Sequence, residues 1–449
     1  KFLTFFNKIN IVEKDIVAIE SEKNIFTFAL IIACLKKGVT YSFFDGSDTS
    51  ERTNLILSQL KPKKIFTFNE NNSIKNSFFL TKKELKKILN YNKSKKKLVN
   101  KSYIAYIMFT SGSTGAPKGA KISHNSLTYF IEWIKKTFKV NQNTVMSNLN
   151  PLHFDNSVFD IYGSIFNKAK LIPINKFELL NGKKLIKKLN KLKCDLWFSV
   201  PSLLNLIITT NNIKIFKNTK LKKIIFGGER FPVKSMRSIY RFLKHPKIYN
   251  VSGPTECTCM CSAHKVSKKE LYNSEDIYIG RINSYFNYRI SKINKQDKYG
   301  ELFLEGPAVG DGYINNKSLI MKSFYKNKGH KGYKTGDIVK ENKNRNLKIL
   351  GRVDNQIKFL GHRIELEEIE KKINKVFNLS DCLVSLKQKE VYPYSKLVLI
   401  TDNRSLNHNT FYTKLKKKLP NYMIPEEIVF TKKFKYNRNN KIDRNFFNL

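Results

Sequence analysis

The segment YIMFTSGSTGAPKGAKISHNSL, Tyr106 to Leu127, decides the reading of this chain. An apolar run stops at Thr110 and gives way to small, polar and cationic residues. Three of the chain's 20 glycines, Gly112, Gly115 and Gly119, fall inside it. A polyphosphate is held by backbone N–H groups in a concave nest, by hydroxyls and by a cation. Glycine lets the backbone approach closely and take positive φ. The segment supplies each component: the three glycines, the hydroxyls of Thr110, Ser111, Ser113 and Thr114, and the ammonium of Lys118. The nucleoside-triphosphatase loop GxxxxGK[ST] is not matched in any register. A loop that wraps a nucleotide triphosphate is expected here.

Outward from this loop, short apolar runs alternate with lysine-rich amphipathic stretches. Ile16–Glu20, Lys63–Phe68, Asp195–Val200 and Leu221–Gly228 read as buried strands, and Asn24–Gly38 and Gly182–Lys193 as helices. The alternation predicts an α/β fold with largely parallel sheets flanked by helices. Beyond Gly300 the runs ELFLEG, NLKILGR and QIKFLG read as antiparallel hairpin strands, followed by a helix over Ile364–Phe377. GRVDN, Gly351–Asn355, is the expected boundary between a large domain over 1–350 and a small α+β domain over 354–449. At 449 residues, two or three domains are the prior.

The chain carries 83 basic and 36 acidic residues, a net charge of +47. The excess is lysine spread along the whole length, with runs such as Lys93–Leu98 and Lys183–Lys193 that suit solvated faces. No specific nucleic-acid partner is expected, although acidic partners would be attracted. The six cysteines, Cys34, Cys194, Cys257, Cys259, Cys261 and Cys382, show no disulfide-scaffold spacing, which suits a reducing, cytoplasmic setting. Alternation of Cys257, Cys259 and Cys261 would place three thiols on one face of a strand. No second ligand pair completes a zinc site, so a strand lining a pocket or core is expected there. The longest apolar run, Phe26–Leu35, is too short to span a bilayer, and no membrane insertion is expected. His124 and His153 are expected to be structural.

TSGSTGAPKGAKISH resembles the phosphate-binding signature of the adenylate-forming (AMP-binding) enzymes, and further segments similar to that family's motifs follow in order. They are GPTE (Gly253–Glu256), Gly300–Asn316, YKTGD (Tyr333–Asp337), Gly351–Glu370 and Asn421–Arg444. The resemblance spans essentially the whole chain. It implies a two-step reaction, in which a carboxylate attacks the α-phosphate of ATP and a thiol then takes the acyl group. By that resemblance Thr110, Ser111, Gly112, Ser113, Thr114, Gly115 and Lys118 would hold the phosphates. Gly228, Ser252, Gly253 and Pro254 would border the nucleotide, Thr255 would contact the α-phosphate, and Glu256 would bind Mg²⁺. Asp337 would accept the ribose hydroxyls with support from Arg352. Lys441 would bridge the substrate carboxylate and the α-phosphate, Asp354 would serve as the hinge, and Gly361 would let the acceptor's thiol arm pass. The catalytic set is therefore Lys118, Glu256 and Lys441. The family usually has an adenine-stacking aromatic where this chain has Ser252, with Tyr249 as the candidate replacement. The opening segment of a typical member is also expected to be missing.

LHFDNSVFDIY, Leu152–Tyr162, resembles the amino-acid-activating branch, in which Asp155 would pair with the substrate ammonium. The other substrate positions implied are Phe154, Asn156, Phe159, Ser199, Ile225, Gly227, Val251, Cys259 and Met260. The bulk of Phe159 and Met260 points to a small side chain, while Gly227 would open space. FDNSVFDIY, DLWFSVPSLL and LPNYMIP are most similar to ligases that load D-alanine onto a carrier protein, though those usually carry a cysteine at the position of Gly227. The expected acceptor is a separate phosphopantetheinylated carrier, with free coenzyme A as the alternative. Two competing readings remain: an acyl- or aryl-CoA synthetase, and a nucleotide-binding protein that has lost catalysis.

Overall fold

A computed structural model describes residues 1–47, 50–68, 74, 77–92, 99–112, 116–209, 216, 219–243, 246–274, 276–292, 294, 296–379, 381–387, 395–436 and 442–447. Contacts group the chain into two compact units. The first is Lys1–Gly46, Ile56–Phe109 and Gly119–Val353; the second is Ser47–Leu55, Thr110–Lys118 and Asp354–Leu449.

The first unit contains two largely parallel sheets. One has six strands in the spatial order Ser77–Phe79, Lys64–Thr67, Ile16–Glu20, Thr40–Phe44, Ile104–Thr110 and Lys118–Ser123. The other has seven, running Arg281–Ile282, Ser262–Lys265, Lys247–Ser252, Lys223–Gly227, Leu196–Ser199, Val145–Asn148 and Lys170–Pro173. Its last five strands pair in parallel, and Ser262–Lys265 joins antiparallel to Lys247–Ser252. A third, antiparallel sheet of the same unit holds Tyr299–Glu305 against His330–Glu341, with Leu347–Arg352 on the latter's other register.

The elements follow from local chemistry. Helix Ile25–Lys37 starts where the Asn24 side chain accepts from the N–H groups of Phe26 and Thr27, and it stops at Gly38, whose φ of 70° is left-handed. Strand Ile16–Glu20 coincides with its apolar run. Helix Asn156–Ile165 is buried along most of its length, from Ser157 to Ser164. Its Phe159 and Tyr162 share one apolar cluster with Tyr41 and Tyr106 of the six-stranded sheet and with Phe198, Ile225 and Val251 of the seven-stranded one. Burial of each such side chain is worth roughly 1.5–3 kcal/mol. That packing fixes the helix whose first turn carries Asp155.

Within the second unit, hairpin Gln356–Phe359/His362–Glu365 precedes helix Leu366–Phe377 and a three-stranded sheet of Leu383–Lys387, Lys396–Thr401 and Glu427–Phe430. The helix expected from Ile364 thus begins later, because Ile364 pairs with Ile357 in the hairpin. The strand expected through Cys257, Cys259 and Cys261 is also corrected. Thr255–Cys257 is a 3₁₀ turn, and Thr258 and Cys259 have φ of 57° and 75°, which breaks any strand before Ser262.

Candidate active site

The lining loops follow the C-terminal ends of strands, where open α/β sheets place their ligands. The loop 149–155 leaves Val145–Asn148, and the turn 253–261 leaves Lys247–Ser252. Gly253 makes this turn possible. A Cβ there would lie 2.5 Å from the Met260 Cα and 2.6 Å from the Cys261 nitrogen, so only glycine lets the turn fold back on itself.

In that turn Thr255 Oγ1 donates to Asp155 Oδ2 at 2.5 Å, joining two segments 100 residues apart. Glu256 is fully buried; its carboxylate accepts from Tyr313 Oη at 2.6 Å, and its carbonyl accepts from the Gly310 N–H at 2.8 Å. Asp155 and Glu256 thereby become the fixed carboxylates of one wall. Phe159, Ile225, Val251, Cys259 and Met260 belong to the same buried cluster beside them. Burial, and then the charge of Asp155, hold the Cys259 thiol well above the ordinary thiol range, so it is a neutral lining group. The Phe154 ring lies 4.4 Å from the His153 ring, tilted by 51°. The amide nitrogen of Asn156 is 3.6 Å from where a Gly228 Cβ would stand, and Gly228 itself has φ of 94°.

Three sequence-derived positions behave differently from their expected placing. Gly227 opens no space, because a Cβ there would sit 2.4 Å from the Val251 carbonyl oxygen; the glycine permits close approach of two strands. Ser199 shares its strand face with Trp197, whose Nε1 donates to Ser199 Oγ at 2.8 Å, while Ser199 Oγ donates to the Val200 carbonyl. The neighbouring Phe198, missed in the sequence, points to the other face and packs 4.8 Å from the Phe159 ring. Tyr249 lies on the face opposite Ser252 by strand alternation, with its ring 5.3 Å from Phe138. It is partly buried and packs against the core. His153 meets Ser21 Oγ through Nδ1 at 2.9 Å. His124 is half-buried, and burial lowers its pKa.

Asp337 stands on strand His330–Glu341 directly opposite Arg352, and the guanidinium donates to its Oδ1. Both are largely buried, so the guanidinium holds the carboxylate in position.

In the second unit, the glycine loop shows donors aimed at negative charge. Lys118 Nζ donates to Glu365 Oε1 at 2.8 Å, and the Gly112 N–H donates to Glu368 Oε2 at 3.2 Å. Ser111 Oγ donates to the Arg363 carbonyl at 2.6 Å. The two carboxylates thus occupy the donors of this loop. Thr110 Oγ1 is buried and unpartnered among the described residues. Burial raises the Glu368 carboxyl above its ordinary range. Asp354 opens this unit, its Oδ1 accepting from the Gln356 N–H at 3.3 Å, and Gly361 follows in the hairpin turn with φ of 80°. Ser113, Thr114, Gly115 and Lys441 lie outside the described residues. Among the described residues no group of three His, Cys, Asp or Glu side chains is placed to hold a metal, and no helix is long and apolar enough to cross a membrane.

Comparison with known proteins bears on this geometry. A family model described as AMP-binding enzyme matches residues 4–314. The D-alanine--D-alanyl carrier protein ligase of Listeria monocytogenes serovar 1/2a is 31% identical over 437 residues, covering 93% of this chain and 85% of that protein. The ligase of the same name from Lactococcus lactis subsp. lactis is 29% identical over 458 residues, covering 98% of this chain and 89% of that protein. Among solved structures, holo-PA1221, an NRPS protein containing adenylation and PCP domains, superposes with a TM-score of 0.85. It shares 20% identity, covering 99% of this chain and 77% of that chain, and so speaks for the fold.

Proposed function

We propose that this chain, which belongs to the AMP-binding enzyme family and is an AMP-forming ligase, activates a small amino acid of about alanine's size and passes it to a carrier-protein thiol. The observation that carries this reading is the Thr255–Asp155 contact. It holds in place the carboxylate that an ammonium would meet, with the buried apolar side chains of Phe159, Val251 and Met260 as the expected pocket wall. An acid without the amine would forgo the charge-assisted contact with that carboxylate, which lowers its affinity. Bulk at Phe159 and Met260, with no space gained at Gly227, supports a short side chain. The names of the two curated relatives support D-alanine as the first candidate.

The residues present suit ATP. Thr110 has a buried hydroxyl without a partner among the described residues, and Lys118 and the Gly112 N–H grip carboxylates as they would phosphates. Asp337, braced by Arg352, would accept the ribose hydroxyls. Thr255 would contact the α-phosphate, and Glu256 offers Mg²⁺ one oriented carboxylate, which fits an ion that takes its other ligands from phosphate and water. Magnesium would supply neutralisation of phosphate charge. Lys118 and Lys441 would lower the repulsion between the attacking carboxylate and the α-phosphate, so that catalysis is positioning and electrostatics. Asp354 would be the pivot between half-reactions. A separate acidic carrier would be drawn by the net charge of +47. Six free, buried cysteines support a reducing, cytoplasmic setting.

ATP–pyrophosphate exchange with Mg²⁺, across the standard amino acids, D-alanine and several fatty and aryl acids, tests this, with Lys441→Ala as control. Exchange with a small amino acid, lost in the variant, is expected. Exchange only with acids lacking an amine would sink the role of Asp155. Silence in the presence of bound ATP would sink the enzyme reading.

A further inference from the structure

Tyr106 lies on strand Ile104–Thr110 in the apolar cluster that also holds Phe159, Val251, Cys259 and Met260. It is 0% exposed, and its hydroxyl is buried with no hydrogen-bond partner among the described residues. Its two phenolic neighbours, with rings 6.0 and 6.2 Å away, are paired with each other, Tyr41 Oη to Tyr162 Oη at 2.7 Å. A buried hydroxyl without a partner is destabilising, whereas phenylalanine would pack there at no such cost. The oxygen therefore calls for a partner that the described residues do not provide.

Its surroundings say where that partner sits. Burial first, and then the nearby Cys259 thiol, Tyr41 and the Asp155 carboxylate, keep the phenol protonated, so it is available as a donor. Asp155 is the proposed ammonium partner, and Cys259 shares the buried cluster with Tyr106. A small amino acid held through its ammonium on Asp155 presents its side chain to this part of the wall.

We propose that Tyr106 is a specificity-determining residue whose hydroxyl donates to the side-chain oxygen of a serine-sized substrate. The site then takes a small hydroxylated amino acid ahead of alanine or glycine. This rests on the amino-acid-adenylation reading above and moves its first candidate from alanine to a serine-sized amino acid. A pocket with only apolar walls separates a hydroxyl from a methyl group poorly, whereas one holding an otherwise unpaired polar group rejects the analogue that leaves it unpaired. The expected preference is about tenfold or more.

The test is thermal-shift titration of the full chain with D- and L-serine, D- and L-alanine and glycine, for the wild type and Tyr106→Phe, with ATP–pyrophosphate exchange run in parallel. Serine should raise the wild-type Tm at about tenfold lower concentration than alanine. Tyr106→Phe should keep or raise the unliganded Tm and should erase the serine advantage while retaining the alanine response. Equal responses in the wild type, a serine advantage that survives in Tyr106→Phe, or no response to any amino acid would each overturn the assignment. Silent exchange with the serine-selective shift intact would strike the adenylation reading and uphold Tyr106.

Discussion

At the scale of single residues, glycines and short polar contacts decide what the site accepts. The D-alanine-loading ligases that this chain resembles usually carry a cysteine where it has Gly227, and inserting one is an obvious way to seek chiral selectivity. The geometry predicts failure, because the new Cβ would meet the Val251 carbonyl at 2.4 Å. Gly227→Cys should lower stability by about 1–3 kcal/mol, read from Tm and denaturant midpoint, without creating enantiomer preference in exchange. The sequence named Gly227 as a pocket residue, but neither motif nor composition could say which way its missing side chain pointed. That direction depends on the pairing of Lys223–Gly227 with Lys247–Ser252, a long-range event. Asp155 and Thr255 were both legible, from two separate motifs. Their contact, and the Tyr313 hydroxyl on Glu256 from 57 residues away, were not.

At the scale of elements, buried polar groups make stability and affinity depend on protons and on competing charges. Helix Asn156–Ile165 carries Asp160, whose Oδ2 accepts from the Asn148 and Asn150 amides at 3.0 Å each. Burial pushes its carboxyl up to about 7, partly offset by those amides and by Lys23, whose own value burial brings down to about 8. In the unfolded chain Asp160 is ionised above about pH 4. As pH rises from there through about 7, the folded state must accept a charge it disfavours, so stability falls across that window. Lys23 is protonated in both states below about pH 8 and adds no slope there. Asp160→Asn should flatten this part of the Tm–pH curve by several degrees, as differential scanning calorimetry from pH 5 to 8 would record. A second expectation concerns the loop at Lys118, where Glu365 holds the ammonium proposed to meet phosphate. Glu365→Gln should lower the KM for ATP about three- to tenfold; an unchanged or higher KM would show that the carboxylate does not compete. Strands such as Ile16–Glu20 were legible because an apolar run between turn residues has few alternatives. The turn at Thr258–Cys259 was not, since nothing in CTCMC signals left-handed backbone at residues that rarely adopt it.

At the scale of the whole molecule, the α/β class, the parallel sheets and the family were legible, because alternating apolar runs and ordered motifs survive a strong lysine bias. The identity of the thiol acceptor was not, since the net charge of +47 is spread along the chain and marks no single face. Such a charge does carry a kinetic expectation. Loading of an acidic carrier should slow about tenfold or more between low and roughly 0.3 M salt, through kcat/KM, while amino-acid-dependent exchange should change little. The central claim is that an amino-acid carboxylate attacks the α-phosphate of ATP, and isotope transfer tests it most directly. With D-alanine, glycine or serine labelled by oxygen-18 in the carboxyl group, the AMP formed in a turnover should carry one labelled oxygen from the amino acid, and Asp155→Asn should lose that product. Unlabelled AMP, or hydrolysis to ADP alone, would contradict the account.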